Sequence, residues 1–232
     1  MNERRTLVLG AAAAGVFWVA LFAFGAARSD YAQFTKAVSE LGAFGAPHAL
    51  AWNLLGFVTP GLLLAACGAG IATTLEGRRG ALWWLLVGGG LGFAGTGVFP
   101  AVMANGSPVM LAPSTLGHVV MMLLSSLSGL IATVLLVRRV WCDPRWTHLR
   151  TAVVVGTLLA LLALAANVFH DAIPQLMHRP GLAQRIGFVG HFLWYLIIAG
   201  RLALPATQSG ARKPGLSPET GQSVSGNSAE QR

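Results

Sequence analysis

Six runs of apolar sequence, each about as long as a bilayer is thick, decide what this chain can fold into. They cover residues 6–27, 50–74, 81–100, 114–137, 151–170 and 186–204. A helix needs about 20 apolar residues to cross the hydrocarbon layer, and backbone inside that layer must satisfy its own hydrogen bonds. The runs therefore predict an all-α polytopic membrane protein, a bundle of six transmembrane helices occupying residues 1–204. Composition agrees. Only 10% of the 232 residues are charged and the mean hydropathy is +0.63, whereas a water-soluble domain carries roughly a quarter charged residues. The first run ends in Gly25-Ala26-Ala27, like a cleavable leader. Its apolar core is about twice as long as a leader needs, so it is taken as a retained span. From residue 205 to 232 the chain is rich in Ser, Gly, Pro and Gln without apolar periodicity, which predicts a disordered tail.

The net charge of +8 would suit a nucleic-acid partner if it formed one surface. Instead the basic residues sit in short clusters between apolar runs, where they act as topology signals and as anchors to anionic lipid. Nucleic acid is excluded as a partner on that ground; the lipid bilayer is the expected one. With the N-terminus inside, the inner side collects Arg4, Arg5, Arg78, Arg79, Arg138, Arg139, Arg145, Arg150, Arg201, Arg212, Lys213 and Arg232. The outer side collects Arg28, Lys36, Arg179 and Arg185. The imbalance predicts a multi-pass protein of the cell's inner (plasma) membrane with both termini cytoplasmic. The two cysteines, Cys67 and Cys142, form neither a disulfide framework nor a metal-binding pair.

Within the spans, Pro60 removes a helical hydrogen bond and predicts a kink. Gly88 and Gly92, four apart in the third run, allow a close helix–helix approach. Most tryptophans fall at span ends, as membrane belts require.

On this topology the unusual polar residues share one depth, near the outer surface. Asn53 lies in the first turn of span two, His118 about one turn into span four, and Asn167, His170 and Asp171 at the outer end of span five. Arg185 stands at the mouth of span six with His191 one to two turns deeper, and Glu40 lies in the loop above. Polar groups inside spans are costly and face a bundle interior or a wet cavity. Three chemistries suit this set. His118, His170 and His191 with a carboxylate from Asp171 or Glu40 would hold a zinc-like ion. Arg185 with the histidines would bind an anionic headgroup. A His/Asp relay would move protons. Each residue also has a plain structural reading: Asn53 and Asn167 as interhelix hydrogen bonders, His48 and His178 as loop residues, and Glu40 as a partner of Arg185 that fixes the outer loops.

No phosphate-binding loop, dinucleotide fingerprint or nucleophile elbow occurs. Val38-Ser39-Glu40-Leu41-Gly42, Asn53, Val98-Phe99-Pro100, His118 and Gly181-Leu182-Ala183-Gln184-Arg185 follow one another in an order that resembles the domain-of-unknown-function family 998. Those are bacterial and archaeal membrane proteins of about six spans, and the resemblance covers about residues 6–204. It implies the fold and no activity. Membrane hydrolases of the alkaline ceramidase and adiponectin-receptor type have seven helices and histidines four apart; this chain has six runs and no His-x-x-x-His.

The leading expectation is an outward-facing pocket, lined by Glu40, Asn53, His118, Asn167, His170, Asp171, Arg185 and His191, that binds or moves a lipid-like or small polar ligand. The alternatives are a metal-dependent lipid hydrolase and a structural membrane subunit. The topology has a direct test. Protease added to intact cells should leave the tail after Pro205 untouched and should remove it in inverted vesicles; cleavage in intact cells would reverse the orientation.

Overall fold

The computed structural model of the chain describes residues 2–77, 80–104 and 107–204. The tail from residue 205, and with it Arg212, Lys213 and Arg232, lies outside the described residues, as do Arg78 and Arg79. Six helices are long and apolar enough to cross a membrane. They are α1 (Glu3–Ala26), α2 (Ala49–Glu76), α3 (Ala81–Val98), α4 (Pro113–Cys142), α5 (Arg150–Val168) and α6 (Pro180–Ala203). Local chemistry marks their ends. Pro113 and Pro180 fill the first turns of α4 and α6, where a missing N–H costs nothing. Gly77, at φ 87°, ends α2 in a conformation that favours glycine. Loops 27–48, 99–112 and 169–179 gather at one end of the bundle, called distal here; the start of α1 and the end of α6 lie at the proximal end.

The helices form an incomplete ring. Around it α4 packs on α3, α3 on α2, α2 on α1, α1 on α6, and α6 on α5, while α4 and α5 touch each other only sparsely. Its centre is aromatic: the ring of Phe17 on α1 lies 6.0 Å from Phe93 of α3 and 5.0 Å from Phe192 of α6. Trp52 of α2 completes the cluster at 6.1 Å from Phe17.

Glycines let α3 sit between two neighbours. A Cβ on Gly90 would overlap the backbone of Ala65, and one on Gly61 would overlap that of Ala94, so α2 and α3 are in backbone contact. On the opposite face a Cβ at Gly92 would come within 2.6 Å of the Ser125 nitrogen in α4. Gly88 shares the spacing but not the crowding, since its nearest neighbour would be the Ser128 hydroxyl at 3.7 Å.

The expected distortion at Pro60 takes the form of a widened turn. Residues Asn53–Val58 are π-helical, and the Thr59 N–H reaches back five residues to the Leu54 carbonyl. The wider turn precedes the proline, whose ring would crowd a regular helix. It also carries Asn53 into the interior, where Nδ2 donates to the Gly42 carbonyl at 2.9 Å. His48, just before α2, and His178, just before α6, both adopt left-handed backbone (φ 58° and 63°), so these two loop histidines are turn residues.

Loop 27–48 is strapped across the start of α6. Leu182 N–H donates to Phe34 O at 2.9 Å, and Val38 N–H donates to the Gln184 side chain at 2.7 Å. Arg185 is the central fastening. It is 7% exposed; Nη1 donates to Gly181 O at 2.9 Å, and Nη2 donates to the Tyr31 hydroxyl at 3.3 Å and to Gln33 Oε1. Glu40 is not its partner. The Glu40 carboxylate instead accepts from the Ala37 N–H at 2.9 Å, closing its own turn. At the proximal end Asp143 joins α4 to α5. Hydrogen bonds from the Arg145 guanidinium (2.7 Å at the closest) hold its carboxyl at about 2, well below the usual carboxylate range.

Two stability predictions follow from this packing. Gly92→Ala should cost about 1–3 kcal/mol through overpacking, while Gly88→Ala should lie within about 0.5 kcal/mol of the parent; thermal unfolding in detergent compares them. Arg185→Leu should cost about 2 kcal/mol or more, because it strands hydrogen-bond acceptors in the loop. Arg179→Leu, at an exposed position, should cost less than about 0.5 kcal/mol. Equal losses would remove the fastening role from Arg185.

Candidate functional site

The sparse seam between α4 and α5 holds a cavity of about 420 Å³. Each wall is one helical stripe with spacings of three and four. On α4 the stripe runs through His118, Met122, Ser125, Ser126, Gly129 and Thr133. On α5 it is Thr157, Ala160, Leu161, Leu164 and Val168, and on α6 Gln184, Gly187, Phe188, His191, Trp194 and Tyr195. Phe93 and Thr96 of α3 close the back, and Ser39 of the strapped loop stands at the distal mouth. The lining takes nothing from the proximal parts of α4 and α5, so the seam is shut below and open above. It is also open sideways. Leu123 of α4 and Leu161 of α5 line the cavity while 48% and 43% exposed on the bundle's flank.

Among the described residues no Asp, Glu, Lys or Arg lines this cavity. Its polar groups are hydroxyls, amides, an indole and imidazoles. His118 fastens α4 to the end of α3: its Nδ1 lies 2.9 Å from Thr96 O and 3.0 Å from Phe99 O. Both partners are carbonyl oxygens, which only accept, so Nδ1 carries a proton. Deeper in, the His191 ring stacks on Phe93 (5.6 Å, 10°) and lies 5.5 Å from the ring of Tyr195. Three buried polar atoms around the cavity have no hydrogen-bond partner: Thr157 Oγ1, His191 Nε2 and Trp194 Nε1. Such atoms are rare in a folded interior and each calls for an explanation.

Of the eight residues expected to line a pocket, His118, Asn167 and His191 do so. Asn167 lies against Gly187, where a Cβ would be 3.2 Å from the Asn167 Cβ; the glycine lets the amide approach α6. The other five lie elsewhere. Asn53 ties α2 to the Gly42 carbonyl and Glu40 closes its own turn, as described, and Arg185 faces the strapped loop. His170 bonds back to Asn167 O at 3.1 Å and lies 3.3 Å from the carboxylate of Asp171, which is exposed. His118, His170 and His191 do not converge, and among the described residues no three His, Cys, Asp or Glu side chains form a group that would hold a metal ion. Among the described residues no carboxylate lines the cavity beside its histidines.

Thr157, Trp194 and Tyr195 were missed as site residues by a reading that tracked charge and imidazole. The signal was present as the spacing of polar residues within apolar helices: Thr157 on α5 shares a face with Leu161, Leu164 and Val168, as Ser125 and Ser126 do with His118 and Thr133 on α4.

Comparison with curated proteins found no match. Comparison with solved structures found none either. The family described as "Protein of unknown function (DUF998)" matches residues 11–201, which covers part or all of each of the six helices and every cavity-lining residue. By that match the chain belongs to this family of uncharacterised proteins, as an integral membrane member built on six helices.

Proposed function

We propose that this protein binds a neutral, apolar-tailed molecule in the seam between α4 and α5, taking it from the surrounding bilayer and not from water. The carrying observation is the union of a charge-free lining with an opening on the flank of the bundle. A charged headgroup would have to leave water without a partner, at a cost of several kcal/mol. An apolar tail loses nothing by passing from lipid to a wall of Leu, Met and Phe. The polar groups at mid-depth then fix the one or two polar atoms of the occupant, as the few polar groups of a largely apolar pocket do.

In this reading the distal mouth faces out of the cell and both termini face the cytoplasm, in the plasma membrane. The support is the distribution of basic residues: Arg138, Arg139, Arg145, Arg150 and Arg201 at the proximal end outnumber Arg28, Lys36, Arg179 and Arg185 at the distal end even before the terminal arginines are added. Binding, as opposed to hydrolysis, is the better account. The cavity brings two histidines and several hydroxyls together without a carboxylate or a metal-ligand group to activate them.

Gly129 supplies the test. It lines the cavity, and a Cβ there would meet nothing within 4 Å, so a large side chain would enter the empty space without disturbing the helix. Protein purified in mild detergent should carry a neutral lipid at about one per chain, identified by mass spectrometry of the extract. Gly129→Phe should retain its thermal stability and lose at least fivefold of that lipid. Equal lipid content in the two proteins would remove the cavity as the binding site.

A further inference from the structure

The cavity has the dimensions of one lipid chain. On α5 its lining runs from Asn167 down to Thr157, and on α3 from Thr96 down to Leu86. Each stretch spans ten residues, about 15 Å of helix, which is half of a hydrocarbon layer about 30 Å thick. Were all of the 420 Å³ within that length, the mean cross-section would be about 28 Å². Hydrocarbon chains pack with their carbons about 4 Å apart and take roughly 20 Å² each, so one chain fits and two side by side do not.

Polar groups within reach of an occupant gather at one end. Ser39, His118, Asn167 and Gln184 line the distal part of the cavity, and each is half-buried. Gln184 accepts from the Val38 N–H through Oε1, which leaves its Nε2 to donate. His118 turns Nδ1 to two carbonyls, and Nε2 is the other polar atom of its ring. Ser39 and Asn167 each bring a donor and an acceptor. Elsewhere most polar atoms of the lining residues are withdrawn. The hydroxyls of Thr96 and Thr133 donate to Phe93 O at 2.6 Å and to Gly129 O at 2.8 Å, on their own helices. Thr157 Oγ1, His191 Nε2 and Trp194 Nε1 are sealed from the cavity. At mid-depth Ser125 and Ser126 remain on α4.

We infer that the occupant is a single-chain lipid with a neutral hydroxylated head, of the monoacylglycerol class, held tail-down with its head among Ser39, His118, Asn167 and Gln184. The inference rests on the neutral-lipid reading above and narrows it. A glycerol head offers two hydroxyls, each a donor and an acceptor, which suit the mixed amides and hydroxyl of the mouth. The ester carbonyl, next below, only accepts and suits a serine hydroxyl. The opening between Leu123 and Leu161 gives such a lipid its way in. The tail moves sideways while the head stays at the level of the mouth, so no polar group crosses hydrocarbon. A fatty acid would bring a carboxylate to a lining without a cation, since Arg28 and Lys36 of the distal loop both turn to Asp30. A long-chain alcohol would leave most of the mouth unused, and a diacyl lipid would leave one chain outside.

The experiment equilibrates the full chain in lipid nanodiscs with radiolabelled 1-monolauroylglycerol and counts binding above that of empty nanodiscs. The expected result is saturable binding near one probe per chain, abolished by Gly129→Phe. A tenfold excess of unlabelled probe should displace nearly all of it, while the same excess of dilauroylglycerol, dodecanol or lauroyl lysophosphatidylcholine should leave at least about half bound. Asn167→Leu should weaken binding at least about fivefold, the worth of one net hydrogen bond, with the melting temperature unchanged. Ser39→Ala should weaken it severalfold and carries the test if the Asn167 variant fails to fold. If dilauroylglycerol competes as well as unlabelled probe, the single chain falls. If dodecanol does, or if both mouth variants bind as the parent does, the hydroxylated head falls; in each of these cases the neutral-lipid reading stands. Equal competition by the lysophospholipid overturns the neutral head and the neutral-lipid reading together. If the parent binds no more probe than Gly129→Phe does, the assignment falls, and the lipid carried by the purified protein decides the broader reading.

Discussion

Backbone contact through α3 is what the remaining architecture depends on. Because Gly90 and Gly61 let α2 and α3 touch, and Gly92 lets α4 press against the other side, these three helices form a sheet-like wall thinner than side-chain packing would allow. In a bilayer there is no hydrophobic gain from bringing two apolar helices together, so close dispersion contact has to supply the association. The second pair, α5 and α6, is built in the same way, with a Cβ on Gly190 overlapping Ala163. Two tight units therefore meet across α1 on one side and face each other loosely on the other. The seam is the consequence of where the small residues are, and where they are absent.

Polar groups are sorted by this division. Charged side chains at the distal end are spent on loops: Arg185 on Tyr31, Gln33 and Gly181, and Arg28 on Asp30 at 2.5 Å and on the Glu40 carbonyl at 3.1 Å. Hydroxyls turned toward their own helix, such as Thr73 Oγ1 on Ala69 O at 2.6 Å, are satisfied by backbone. Of the buried polar atoms left without a partner, Thr157 Oγ1, His191 Nε2 and Trp194 Nε1 belong to residues of the seam, whereas Trp52 Nε1, Trp146 Nε1 and Arg185 Nε lie elsewhere.

The six spans and the family resemblance were legible in the sequence because each depends on local composition. Depth was legible too, since it follows from position along a span: His118, Asn167 and His191 come to the cavity, and Asn53, Glu40, His170, Asp171 and Arg185 share their end of the bundle. Azimuth was not. Whether a residue at a given depth turns to the seam, to a neighbouring helix or to a loop is decided by packing between helices. Arg185 and Gln184 show the difference, for they are adjacent in sequence, yet one turns to Tyr31 while the other lines the mouth. The π-turn at Asn53–Val58 is a second case. Pro60 announced a distortion, but only the contact with Gly42 shows that the distortion turns Asn53 inward.

The closed proximal end of the seam bears on what the cavity can do. Asp143 and Arg145 fix the link between α4 and α5, the Arg150 guanidinium lies over the Trp141 ring at 5.5 Å, and Val140, Leu149 and Val153 are fully buried there. At the distal end the cavity between the same two helices reaches Ser39, Asn167 and Gln184. A through-channel would need both ends to part, and the proximal lock opposes that with packing and charge together. A pocket filled from the side needs only the upper seam to breathe, which the sparse contact between α4 and α5 permits. On the proposed reading, that geometry suits a ligand taken up from one leaflet better than one carried across the membrane.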